Sequence, residues 1–296
     1  MHGSFNVCIP VKFIGRPSVL FRVPLPYRVG ETNHPGNAYE KIRCELGTYA
    51  WLKETCPDVP IPKFMPGYLV IESVSTSSML SKTRSMILCD DRYVRLANRP
   101  LSLGIQELEK EGILVDIPRD FTYTSTYAYL ADLLALHVND YGDFTYETGI
   151  LAIMHMLSPV FFQREFRRGP FLFSLTDLHQ NNIFVDENWR ITAFIDLEWG
   201  CSLPAEMIRP PLWFEKNDIE ALDADKHDSA RQEFIIILAA DEKIIHRKLS
   251  LSSIMEKTWQ LGTFWFGLAL TTPMGLFDLF DKKIWPTITG EEGIMV

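Results

Sequence analysis

Residues 174–200 read S-L-T-D-L-H-Q-N-N-I-F-V-D-E-N-W-R-I-T-A-F-I-D-L-E-W-G, and the rest of the chain is organised around them. Asp177 and Asn182 sit five apart, straight after the apolar run Phe171-Leu172-Phe173, and Asp196 ends a second apolar run, Ile191 to Ile195. Between them, Ile183-Phe184-Val185 and Trp189 to Ile195 flank the polar turn Asp186-Glu187-Asn188, the pattern of a β-hairpin. Each strand then ends in a polar group on the same side of a small sheet. A loop carboxylate, an amide oxygen and a second carboxylate converging there suit phosphoryl transfer. Asp177 would face the attacking hydroxyl, while Asn182 and Asp196 would hold Mg²⁺ against nucleotide phosphates. An ordinary hairpin with polar ends and an Asx turn is the plainer alternative.

The run D-L-H-Q-N-N-I-F-V-D followed by I-D-L-E-W resembles the Brenner-type catalytic loop and the metal-binding I-D-x-E of aminoglycoside phosphotransferase-like proteins. F-S-L-T-D-L-H-Q-N-N-I-F-V-D-E-N-W is especially similar to a large fungal branch of that family. The resemblance covers roughly residues 5–215 and is sharpest over 174–200. It implies an α+β, protein-kinase-like two-lobed fold, in which D-x-x-x-x-N and D-F-G play the corresponding parts. The small β-rich lobe would span residues 1–72 and the larger, mainly helical lobe 73–296. The implied activity is phosphate transfer from ATP, with Mg²⁺, to an alcohol group of a small-molecule acceptor.

Composition is that of an ordinary globular chain, with 47% apolar and 23% charged residues over 296 positions. A net charge of −9 argues against sequence-independent nucleic-acid binding, which needs a basic surface. The five cysteines are scattered and form no C-x-x-C, so they read as reduced thiols of a cytoplasmic protein. The start, M-H-G-S-F-N-V-C-I-P, lacks the basic end and long apolar centre of a signal peptide. Thr258 to Phe277 is uncharged, but Gln260 and its Gly and Pro interruptions favour a buried or groove-lining helix over a membrane span.

Phe5 to Ile14 and Ser18 to Val23 flank Gly15-Arg16-Pro17 as a hairpin. Asn37, with Glu40 three residues later, predicts a capping box for a helix over Ala38–Glu54. At about 100° per residue, Ala38, Ile42, Leu46, Tyr49 and Leu52 share one face of it, with Glu45 inside that face. A buried carboxylate needs a cation. Arg22, on the second strand, is the nearest upstream candidate, and the resemblance gives Arg22 and Glu45 the phosphate-holding ion pair. A structural ion pair is the alternative.

Tyr68 to Glu72 resembles the strand entering the hinge, where backbone groups near Glu72 and Val74 would hold adenine. Further on, a short helix is expected around Gln106–Glu111, one from Ser125 to Val138, one from Thr145 to Phe162, and more over Ala230–Phe280. Met154 and Met156 read as core filler. The basic cluster Arg164, Arg167 and Arg168 reads as a solvated helix end, with a phosphate contact as the alternative.

The chain departs from the family pattern in two places. Leu175 stands where relatives often carry His, and with four residues ahead of Phe5 the small lobe is expected to lack its first strand and phosphate-covering turn. Two further readings therefore stand beside the phosphotransferase: a binding or scaffold protein on a kinase-like fold, and a fold repurposed for another biosynthetic reaction.

Overall fold

Two runs of β-forming residues meet across the turn at Gly15: β1 (Asn6–Val11) and β2 (Val19–Pro24) pair antiparallel as a two-stranded sheet. The structure, a computed structural model, describes residues 5–15, 19–62, 70–71, 79–90, 93–141, 145–214, 224–245, 249–272 and 275–290. In the hairpin's register Asn6 faces Pro24 and Cys8 faces Arg22, while Ile9 faces Phe21 and Val11 faces Val19. Side chains alternate between faces, so these pairs divide into a polar and an apolar face. The polar one turns inward, with Asn6 buried, whereas Ile9, Val11, Val19 and Phe21 are exposed.

The helix α1 spans Asn37–Thr55, one residue longer at each end than expected. Its start is built differently. Gly36, with φ of 97°, is the residue before it, and the expected Asn37–Glu40 capping box does not form. Instead the Glu31 carboxylate accepts the N–H groups of Gly36 and Ala38, each at 2.7 Å. These bonds pull its pKa below the usual carboxylate range. Asn37 and Glu40 are buried, and Glu40 takes Arg99 Nη2 at 2.8 Å, Asn98 Nδ2 at 2.8 Å and Arg119 Nε at 3.0 Å.

The expected apolar face of α1 is also corrected: Ile42 is exposed, while Glu40, Lys41, Cys44 and Thr48 are buried. Charged partners arriving from distant strands make burial of this polar face affordable. Farther along, Tyr49 to Leu52 pack with Met86, Val94 and Leu197, and Trp51 meets Phe173 at 4.6 Å between ring centres. At Gly47 the helix lies so close to the next sheet that a Cβ would stand 2.9 Å from the Ile87 nitrogen.

That sheet comprises β3 (Val70–Ile71), β4 (Met79–Leu80), β5 (Arg84–Leu88), β6 (Tyr93–Asn98), β7 (Phe171–Leu175) and β10 (Gly200–Pro204). Its order is β3-β6-β5-β10-β7-β4, so it takes strands from both sides of residue 72, where the lobes were expected to divide. The pairing is antiparallel except for β3 with β6. The hairpin expected after Asn182 is present as β8 (Ile183–Val185) and β9 (Ile191–Phe194).

The helices fall close to where periodicity puts them: α2 (Leu103–Lys110), α3 (Thr126–Tyr141), α4 (Thr145–Phe161) and α5 (Ala224–Ile244). Ser102 Oγ caps α2 by accepting the Ile105 N–H at 3.3 Å. Tyr129, Leu130, Leu133, Leu134 and Leu136 of α3 are all buried, so this helix is enclosed on more than one face. Met154 fills the core as expected, but Met156 is exposed.

The uncharged stretch from Thr258 is broken at Gly262, whose φ is +76°, into α6 (Leu251–Gln260) and α7 (Thr263–Leu270). Every residue of α7 is buried, and α8 (Leu276–Leu279) and α9 (Trp285–Thr289) follow. No described helix is long and apolar enough to cross a membrane.

Candidate active site

Two loops carry the acidic residues, and hydrogen bonds to backbone carbonyls stitch them together. Thr176, just past β7, donates its Oγ1 to the Trp199 carbonyl at 2.8 Å. The Ile195 N–H donates to the Asn182 carbonyl at 3.0 Å. These links bring Asp177 and Asn182 of one loop beside Asp196 and Glu198 of the other. Asn182 donates Nδ2 to the Asp177 carbonyl at 3.0 Å and, more loosely, to its carboxylate at 3.5 Å. The planar amide therefore points its oxygen the other way. Asp196 adopts a φ of 58°, unusual for a residue with a side chain but tolerated by Asp better than by most.

The inward face of the first hairpin supplies a cation to this cluster. Arg22 forms an ion pair with Glu45 of α1, as the sequence predicts, and also reaches Asp196 at 2.8 Å and Glu198 at 3.6 Å. A second cation, Lys41, was not foreseen. Its side chain is 1% exposed and pairs with Glu198, which is fully buried. Asn6 joins them, accepting from Lys41 at 3.1 Å and donating to Glu198 Oε1 at 3.3 Å. Among the described residues Glu198 Oε2 has no hydrogen-bond partner. The Lys41 ammonium also lies 5.3 Å from the Trp199 ring centre.

The cluster holds more negative than positive charge: Glu45, Asp196 and Glu198 against Arg22 and Lys41. The titration shifts follow from this imbalance and from burial. Burial and Glu198 push Glu45 up to about 7 against the pull of Arg22. Burial alone would raise Glu198, but Lys41 and Arg22 hold it below the usual carboxylate range. Burial raises Asp196, with Glu198 adding to the shift. Asp177 is pushed up to about 6, first by burial and then by Glu198 and Asp196, while His179 opposes.

Of the residues expected at the site, Arg22, Glu45 and Asp196 are joined by ion pairs, and Asp177 and Asn182 by hydrogen bonds. Glu72 and Val74 lie outside the described residues. The sequence reading missed Lys41 and Asn6 and assigned Glu198 no part of its own. One signal was available: Lys41 precedes Glu45 by one helical turn and so shares its face.

Among the described residues no group of three or more His, Cys, Asp or Glu side chains could hold a metal ion by itself. Asn182 and Asp196 nevertheless offer hard oxygen atoms from adjoining backbone positions, and Asp196 is 32% exposed. That donor set fits Mg²⁺, which keeps water and takes phosphate oxygens beside one or two carboxylates. Comparison with protein-family models, with curated proteins and with solved structures finds no match to this chain.

Proposed function

We propose that this chain is an ATP- and Mg²⁺-dependent phosphotransferase that acts on a hydroxyl of a small molecule and has a kinase-like two-lobed fold. The observation that carries the reading is the meeting of Asp177, Asn182 and Asp196 with the Arg22–Glu45 pair. Asp177 orients the acceptor hydroxyl and takes its proton. Asn182 and Asp196 would hold Mg²⁺, which would neutralise charge on the nucleotide phosphates. Arg22, anchored by Glu45, is the cation that meets phosphate. Lys41 and Asn6 fix Glu198, and with it the loop that carries Asp196.

Asp177 must be ionised to act as a base, and its pKa stands at about 6. In the free enzyme kcat/KM should therefore rise between about pH 5 and 7 and then level off. The same shift acts on stability with a definite sign. The folded pKa lies above the unfolded value of 3.8, so the folded state binds the extra proton and stability falls as pH climbs from about 4 to about 6. A rate that ignores pH between about 5 and 7 removes Asp177 from the base role.

The metal assignment is tested by Asp196→Asn. The variant should lose the Mg²⁺-dependent part of any ATP-induced rise in Tm while the ligand-free protein stays folded. An equal Mg²⁺ response in variant and parent removes Asp196 from the site. A nucleotide-free binding protein is the second reading. It is favoured by the Arg22–Asp196 contact at 2.8 Å, which gives the carboxylate a cation without a ligand.

A further inference from the structure

At the end of β7 opposite the Asp177 loop, a cavity of about 360 Å³ is lined by Thr124, Ser125, Arg167 and Arg168. Its size is that of a small-molecule site rather than of a single ion. The backbone leading into the two arginines is tied to the start of α3. The Thr126 N–H donates to the Arg167 carbonyl at 2.9 Å, and Thr126 Oγ1 donates to the Phe166 carbonyl at 3.0 Å. The Arg167 guanidinium also lies 5.4 Å from the Tyr127 ring centre.

In a chain of net charge −9, cations usually find a carboxylate, yet among the described residues none pairs with Arg167 or Arg168. The adjacent Glu165 is engaged by Lys257 at 3.2 Å. Thr124, Ser125, Arg167 and Arg168 thus line one cavity, and among the described residues no carboxylate pairs with either arginine. α3 begins beside them, and its amino-terminal dipole has the same sign.

We propose that this cavity binds the phosphate group of a small phosphomonoester, at a site separate from the Asp177 cluster. A phosphate dianion offers several acceptor oxygens, and arginine meets them with two parallel N–H bonds. The Thr124 and Ser125 hydroxyls supply further donors. The remaining cavity volume accommodates the organic part of the ester.

Thermal unfolding measured against rising glycerol 3-phosphate, and separately against inorganic phosphate, tests the assignment, with chloride and acetate at matched ionic strength as controls. Saturable stabilisation by the ester and by phosphate, but not by the controls, is expected. Arg168→Ala, at an exposed position, should fold normally and weaken the response about tenfold or more, the equivalent of one lost charge-assisted contact. Arg168→Lys should fall between, because it keeps the charge and loses the fork. Asp196→Asn should leave the response intact. An equal effect of chloride, an unchanged response in Arg168→Ala, or loss of the response in Asp196→Asn would each overturn the proposal.

Discussion

Asp177→Asn is expected to lower phosphate transfer by about 10²–10⁴-fold while leaving ATP affinity close to that of the parent. In the proposed phosphotransferase Asp177 touches the acceptor hydroxyl, whereas the nucleotide is held by Arg22, Asn182 and Asp196. The substitution keeps the side chain's shape but removes its charge and its ability to take a proton. Asn182 still finds the residue-177 carbonyl, to which it donates at 3.0 Å, so the loop keeps its form. Stability should not suffer at neutral pH, because the native carboxylate is held there against burial and two neighbouring acids. Steady-state rates and nucleotide titration on the same preparation separate the two effects. A parallel loss of rate and affinity would instead place Asp177 among the nucleotide contacts.

The largest effect on stability should come from Lys41→Met. Lys41 and Glu198 are both buried, and removing one partner of such a pair leaves the other charge unmatched, a loss of about 3–5 kcal/mol. Arg22, at 3.6 Å from Glu198, compensates in part only, since it already serves Glu45 and Asp196. The expected fall in Tm is on the order of 10 °C. Glu198→Gln should be milder, because its amide still accepts from Lys41 and the cluster's excess negative charge is reduced. Denaturant unfolding of both variants checks the ordering. A Lys41→Met protein within about 1 kcal/mol of the parent would show that the pair contributes little.

The strand–loop–hairpin order around Asp177 could be read from sequence because each apolar run ends at a polar residue, a local pattern that survives folding. The Arg22–Glu45 pair was legible for a different reason: a carboxylate on a helix face that must be buried demands a cation nearby. Glu198 lies 157 residues from Lys41, and Asn6 lies 35 residues before it, so no local pattern announces their meeting.

The same distance effect explains the misread face of α1. Apolar periodicity placed Ile42 inside, but Arg99, Asn98 and Glu198, all remote in sequence, draw the polar side of the helix into the protein instead. The cap was misassigned because a glutamate five to seven residues upstream competes with the local Asn37–Glu40 motif, and its two hydrogen bonds win. Position 47 shows the converse: glycine in a helix looks unfavourable locally, yet only its missing side chain lets β5 approach.

The most direct measurement is ADP release by the intact protein at millimolar ATP, with Mg²⁺, across a panel of hydroxylated small molecules. The account predicts release that requires Mg²⁺, is raised by at least one acceptor, and falls to background in Asp177→Asn. Neither nucleotide binding nor ADP release under these conditions would contradict it and leave the nucleotide-free binding protein as the reading of the site.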